Sequence, residues 1–166
     1  MTMRDLLEPQ VRNQLDALGI DYEVLPCDPQ LADTAVFCEH YGYLPDDSAN
    51  TILVTSKSGE KKYVACVVLA STRLDVNRTV RKRMGVRRIS FASAYETRSV
   101  SGMEIGGVTP FTLPSDVPLW VDSRVALRPW IILGGGNRSC KIRVAPTVFM
   151  HTSNTEMVDG LALEPG

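Results

Sequence analysis

Seven residues constrain this chain more than any others: Tyr63-Val-Ala-Cys-Val-Val-Leu69, apolar from end to end. A run this short and this rich in β-branched residues reads as a strand. Its lack of polar alternation means that it is covered on both faces. A second β-rich run, Thr51-Ile-Leu-Val-Thr55, precedes it across a turn holding Ser58-Gly59, so the two are expected to pair as a hairpin. A strand buried on both faces needs partners at its sides and further layers above and below it.

The rest of the chain supplies candidates for those layers. Leu7, Val11, Leu15 and Leu18 recur at helical spacing and stop at Gly19. Residues 22–25 read as a short strand. Asp33-Thr34 opens a helix carrying Ala35, Phe37, Cys38 and Tyr41, ended by Gly42. Asp75 opens another, with Val76, Val80 and Met84 on its buried side and Gly85 beyond its end. A short strand over 89–91, a short helix over 94–100, and strands over 119–121, 130–133 and 141–144 follow. Strands interleaved with uneven helices predict a mixed α/β (α+β) domain around a central sheet. The pattern fades near Ser153, so residues 1–152 read as the domain and 153–166 as a loose tail.

A length of 166 residues, 44% of them hydrophobic, suits one domain with a real core. Leu6-Leu7 is followed at once by Glu8, Pro9, Gln10 and Arg12, which is no secretory pattern. No apolar run approaches the roughly 18 residues of a membrane span. The expectation is a soluble cytoplasmic protein. Cys27, Cys38, Cys66 and Cys140 form no CxxC pair, and His40 and His151 stand far apart. The thiols therefore read as reduced core residues, with no metal site and no cofactor.

Charge is divided unevenly. Residues 1–60 hold 11 acidic and 3 basic side chains, residues 61–166 hold 8 acidic and 15 basic ones. Arg78, Arg81, Lys82, Arg83, Arg87 and Arg88 form the densest basic stretch. Such a field attracts phosphate, although a solvated helix face has the same composition.

Among catalytic signatures, GxSxG, the Walker loop and HExxH are all missing. Two glycine-rich loops stand out instead: Gly102-Met-Glu-Ile-Gly106-Gly107-Val-Thr-Pro110-Phe111 and Gly134-Gly135-Gly136. Glycine lets backbone approach a ligand closely and offers amides to an oxygen. It serves equally well in a tight turn with no ligand.

In order along the chain come S-A-N-T-I-L-V (Ser48–Val54), V-A-C-V-V-L (Val64–Leu69), R-L-D (Arg73–Asp75), G-M-E-I-G-G-V-T-P-F (Gly102–Phe111), V-D (Val121-Asp122) and G-G-G-N-R-S-C-K-I (Gly134–Ile142). This ordered set resembles the YbaK/prolyl-tRNA-synthetase-associated family over roughly residues 34–150. The resemblance implies a mixed sheet curled toward a barrel, flanked by helices. It also implies a free-standing editing protein that hydrolyses mischarged aminoacyl-tRNA, with the acceptor end of that tRNA as its partner. Carried over by motif, Gly106, Gly107 and Pro110 would contact the aminoacyl group or terminal adenosine, with Gly135 and Arg138 near the same mouth. Charge alone suggests Arg78, Arg81 and Lys82 for the acceptor-stem backbone.

One position departs from the family. Its active deacylases open the first hairpin strand with Lys-Thr-Leu, whereas this chain has Asn50-Thr51-Ile52. Asn50 donates and accepts hydrogen bonds but carries no charge. Lys57 alternates to the opposite face, and Lys61 and Lys62 lie across the turn, so none of them is expected to replace the family lysine. Cys66, on a wholly apolar strand, reads as a core thiol rather than a nucleophile. The alternative to a deacylase is therefore a module that binds aminoacyl-tRNA or an acyl-nucleotide with weakened turnover.

Overall fold

The hairpin forms as its apolar pattern requires. In the computed structural model, which describes residues 2–164, β2 (Ala49–Ser56) pairs antiparallel with β3 (Tyr63–Leu69). β5 (Ile89–Phe91) joins the outer edge of β2, also antiparallel. On the other side β3 pairs parallel with β6 (Leu119–Asp122), and β6 pairs parallel with β9 (Thr155–Val158). The five-stranded order is β5-β2-β3-β6-β9, which makes β3 the middle strand.

Its uninterrupted apolar run now has a physical account. Ala65, Val67 and Leu69 enter the main core with Leu119 and Val121. Val64, Cys66 and Val68 enter a second core with Val54, Val76, Val80 and Leu161. The main core is closed by α1 (Pro9–Ala17), through Val11 and Leu15, and by a three-stranded antiparallel sheet. That sheet has the order β1 (Tyr22–Pro26), β8 (Cys140–Val144), β7 (Ile131–Gly134). Its far face carries α2 (Thr34–Tyr41), seated through Phe37 and Cys38 on Leu25, Cys27 and Ile132.

Three features differ from expectation. First, the five-stranded sheet does not close into a barrel. β5 and β9 remain its edges, and the three-stranded sheet packs β7 beside β2 without joining its ladder, bridged just before β2 by a parallel pair of Ser48 and Ile132. β5 stops opposite Val54, too short to seal the edge of β2. Second, the helix opened by Asp75 is a π turn, Val76–Val80, running into the single α turn of α3 (Arg81–Met84). The Asp75 carboxylate accepts the Thr79 hydroxyl at 2.8 Å rather than a backbone amide.

Third, the segment expected to be a loose tail is built into the fold. Beyond β9, β10 (Ala162–Leu163) pairs with β4 (Arg73–Leu74), and Val158, Leu161 and Ala162 fill the second core. Burying Val158 and Leu161 contributes about 1.5–3 kcal/mol each. Strands of four and two residues are too short to show a period, which is why burial here left no trace in the sequence. Residues 165–166 of that segment lie outside the described residues. The remaining helix, α4 (Ala94–Ser101), is opened by a capping box between Ser93 and Glu96. No helix among the described residues is long and apolar enough to cross a membrane.

Candidate functional site

The open edge of β2 creates the site. β5 pairs with β2 from Ser56 to Val54, and the Ala92 N–H donates to the Leu53 carbonyl at 2.9 Å. On the other side β7 lies alongside the start of β2 and is bridged to the chain at Ser48, the residue before it. Between these two supports the strand edge faces a cavity of about 490 Å³, within the size range of small-molecule sites. Asn50, Thr51 and Ile52 form one wall. The N-terminus of α2, the loop around Ile105 and Gly106, and Gly134 with Lys141 form the other. Phe91 and Ile105, both more than half exposed, give its mouth an apolar rim.

On the β2 wall, Asn50 is half-buried and its side-chain carbonyl accepts the hydroxyl of Thr34, the first residue of α2. That leaves the Asn50 NH₂ as a neutral donor. The Thr51 hydroxyl is buried and has no partner among the described residues.

The opposite wall is cationic. Lys141 lies on β8 between Leu25 of β1 and Gly134 of β7, and only 5% of it is exposed. Its ammonium donates to the Ala32 carbonyl at 2.6 Å and the Gly106 carbonyl at 2.7 Å, with the Phe37 ring 5.5 Å away. Burial holds its pKa below the ordinary lysine value, because desolvation disfavours the charged form. Beside it Arg138 pairs with Asp33 at 3.0 Å and also donates to the Ile105 and Pro29 carbonyls, at 2.6 and 2.9 Å.

The glycines explain how the two loops come so close. A Cβ on Gly106, whose φ is +92°, would stand 2.1 Å from the Arg138 guanidinium. One on Gly134 would stand 2.0 Å from the Val108 carbonyl oxygen. The Gly136 N–H donates to the Gly107 carbonyl at 2.7 Å and ties one loop to the other.

The sequence-derived candidates therefore separate. Asn50 and Gly106 line the cavity. Arg138 braces its rim through Asp33 and Ile105, both of which do line it. Gly107, Pro110 and Gly135 are buried outside the lining: Gly107 packs on the Asn137 backbone and Gly135 on Cys140. Arg78, Arg81 and Lys82 do not line it either. They sit on the π turn, which packs against β5, the strand that carries Phe91 to the cavity, and on α3, which continues from that turn. Neighbouring Arg83 is committed to an ion pair with Glu156 and stacks over Trp120. Cys66 is fully buried in the second core, where desolvation pushes its pKa far up.

Lys141 is the residue that sequence reading passed over. In Cys140-Lys-Ile-Arg-Val144 the apolar members face the main core, so alternation assigns Lys141 and Arg143 to the other face of the sheet. That face is half exposed at Arg143, which stacks on Trp130, but α2 and the Gly106 loop cover it at Lys141. The usable signal was its place just after a glycine loop, at an alternating position of an otherwise apolar strand start.

All of these lining residues, from Asp33 to Lys141, fall within the stretch 28–151 that matches the profile of the aminoacyl-tRNA editing domain. The chain belongs to this family. Solved structures share the editing-domain architecture. A hypothetical protein, APE2540, superimposes with a TM-score of 0.79 at 23% identity, covering 90% of this chain and 97% of that one. A candidate trans-editing enzyme for prolyl-tRNA synthetase gives 0.76 at 20% identity, over 96% and 99% of the two chains. A candidate signal transduction protein from Marinobacter aquaeolei gives 0.65 at 17% identity, over 95% of this chain but 31% of its own. At such identities the likeness establishes the fold. The family assignment rests on the profile match.

Proposed function

We propose that this editing domain hydrolyses the ester of mischarged aminoacyl-tRNA, taking the acyl-adenosine end into the cavity at the β2 edge. The observation that carries this reading is the cavity itself: polar donors deep inside, an apolar rim outside, and every lining residue within the family match. The rim suits a nucleobase, and the inner donors suit an acyl carbonyl. Gly106 exposes backbone to the ligand. Gly107, Pro110 and Gly135 act one step behind it by fixing the loop, and Arg138 holds the rim in place.

The cavity offers no thiol or imidazole as nucleophile. Its chemistry is therefore binding and polarisation, with a water or a hydroxyl or thiol of the substrate itself attacking the carbonyl carbon. Attack by water breaks the bond to the ribose oxygen, which leaves as a hydroxyl, and releases the free amino acid. The likeness to a trans-editing candidate over 99% of that chain supports action in trans, in the compartment of translation, the cytoplasm. Arg78, Arg81 and Lys82 are proposed to meet the acceptor-stem backbone. Replacing all three with Ala should reduce the salt slope of tRNA binding by roughly 2–3. An unchanged slope assigns them to a solvated face.

A second reading, a binding module with little turnover, is favoured by Asn50, which is neutral and tied to Thr34. A panel of mischarged tRNAs decides between them. Hydrolysis of at least one member by the wild-type protein is expected. Binding without release of amino acid, together with release by Asn50→Lys, would establish the module instead.

A further inference from the structure

Lys141 is a buried ammonium with no carboxylate partner among the described residues: the ion pair beside it joins Arg138 to Asp33 and leaves it out. Two of its three N–H groups are taken, by the carbonyls of Ala32 and Gly106. Neutral acceptors of this kind orient an ammonium without cancelling its charge. An apolar side chain would fill the same space between Leu25 and Gly134 without the cost of desolvating a cation. A cation held at such a cost in the wall of a cavity marks a functional position. The β2 wall brings only the neutral Asn50, to which the Thr34 hydroxyl of α2 donates, and the Thr51 hydroxyl. With Arg138 offset by Asp33, the cavity keeps one unbalanced positive charge, and Lys141 carries it.

We propose that Lys141 supplies the electrostatic contact to the ligand's acyl group, its third N–H meeting the carbonyl oxygen across from Asn50. Within the proposed reaction, negative charge develops on that oxygen when the carbonyl carbon is attacked, so the contact is stronger in the transition state than in the ground state. This assignment rests on the deacylase reading for its catalytic part, but the binding part stands without it. The Gly106 carbonyl bond gives the lysine a second effect, since it fixes the loop that shapes the cavity.

Two probes separate acyl recognition from recognition of the nucleoside: adenosine, and adenosine bearing an aminoacyl group through a non-hydrolysable 3′-amide. Neither carries a phosphate, so no effect of Lys141 on them comes from the RNA backbone, and an effect confined to the amide belongs to its acyl group. Lys141→Met removes charge and hydrogen bonds. Lys141→Gln removes charge but keeps an NH₂ that can hold the Gly106 or Ala32 carbonyl. Both variants are expected to lose about ten- to hundredfold in affinity for the amide while binding adenosine unchanged. On a mischarged tRNA that the wild type hydrolyses, kcat/KM should fall by at least the factor lost on the amide, through a raised KM and, because charge develops on the oxygen in the transition state, a lowered kcat as well.

The pH dependence supplies a readout that a structural tie would not move. Amide affinity should decline as pH rises through the depressed Lys141 pKa, because the ammonium loses its charge, and this decline should be missing in Lys141→Gln. The charged and titratable neighbours are Asp33 at the start of α2, Cys38 within it, Cys27 after β1, Arg138 in the glycine loop and Cys140 on β8. Burial pushes all three thiols up, which disfavours their charged forms beside Lys141. Wild-type affinity in Lys141→Gln, or equal loss for adenosine and amide, would overturn the assignment and leave Lys141 as a loop tie. A wild type that hydrolyses no tRNA would remove the deacylase reading alone, since the amide comparison still decides the lysine.

Discussion

The two walls of the cavity are held in different ways. The wall of β7, β8 and the glycine loops is fixed by backbone packed on backbone. Gly134 lies against Val108, Gly107 against Asn137, and the Gly136 N–H bonds the Gly107 carbonyl. The β2 wall is an unpaired strand edge steadied at its centre by a side-chain hydrogen bond, Asn50 to Thr34. The first wall is a template with no room to adjust, and the second is where a ligand can replace existing contacts. Catalytic sites that stabilise developing charge need donors that do not reorganise, so the rigid wall is the place for them.

Gly134→Ala tests that rigidity most severely. The new methyl would stand 2.0 Å from a carbonyl oxygen, and backbone rather than a flexible side chain would have to move. A loss of about 3 kcal/mol or more in unfolding free energy is expected. Denaturant titration measures it. A loss below about 1 kcal/mol would show that the loops can separate and that the wall is no template.

The β2 wall should respond far less. Asn50→Ala breaks one hydrogen bond and leaves the Thr34 hydroxyl near an open cavity that water can enter. The expected cost is about 1 kcal/mol of stability. Affinity for an aminoacyl-adenosine amide should fall by a comparable factor, about three- to tenfold, through loss of the Asn50 NH₂. If stability falls and affinity does not, Asn50 braces α2 and has no part in binding.

What could be read in advance divides along the same line. The hairpin, the turn at Gly42 and the two-faced burial of β3 follow from neighbours in sequence: β-branched runs, a glycine at positive φ, the absence of alternation. The glycine loops were visible as loops. Their division of labour was not, because whether a glycine faces ligand or backbone depends on what packs opposite, and Asn137 opposes Gly107 only once the sheets are assembled. The pairing of β1 with β8 joins residues such as Leu25 and Lys141 that are remote in sequence. Lys141 becomes a cavity residue only when α2 covers it. β9 and β10 were invisible because so few residues carry so little pattern, although Leu161 is as buried as any core residue. The open sheet follows from the shortness of β5, and that one missing stretch of pairing is also what leaves the cavity room.

Thr51→Val gives the smallest expected change and the sharpest contrast between stability and binding. The hydroxyl is buried and unpartnered, so the folded protein bears the cost of desolvating it with no bond in return. Valine has nearly the same shape, suits a strand, and removes that cost. The variant should be as stable as the wild type or more stable by up to about 1 kcal/mol, as measured by thermal or denaturant unfolding. If the hydroxyl is kept free for a ligand, the same variant should bind the aminoacyl-adenosine amide more weakly while its stability rises. Opposite signs in the two measurements would identify the β2 wall as a recognition surface held short of its most stable composition. A variant that loses stability and keeps affinity would show instead that Thr51 bonds within the fold, and the β2 wall would then offer the ligand Asn50 alone.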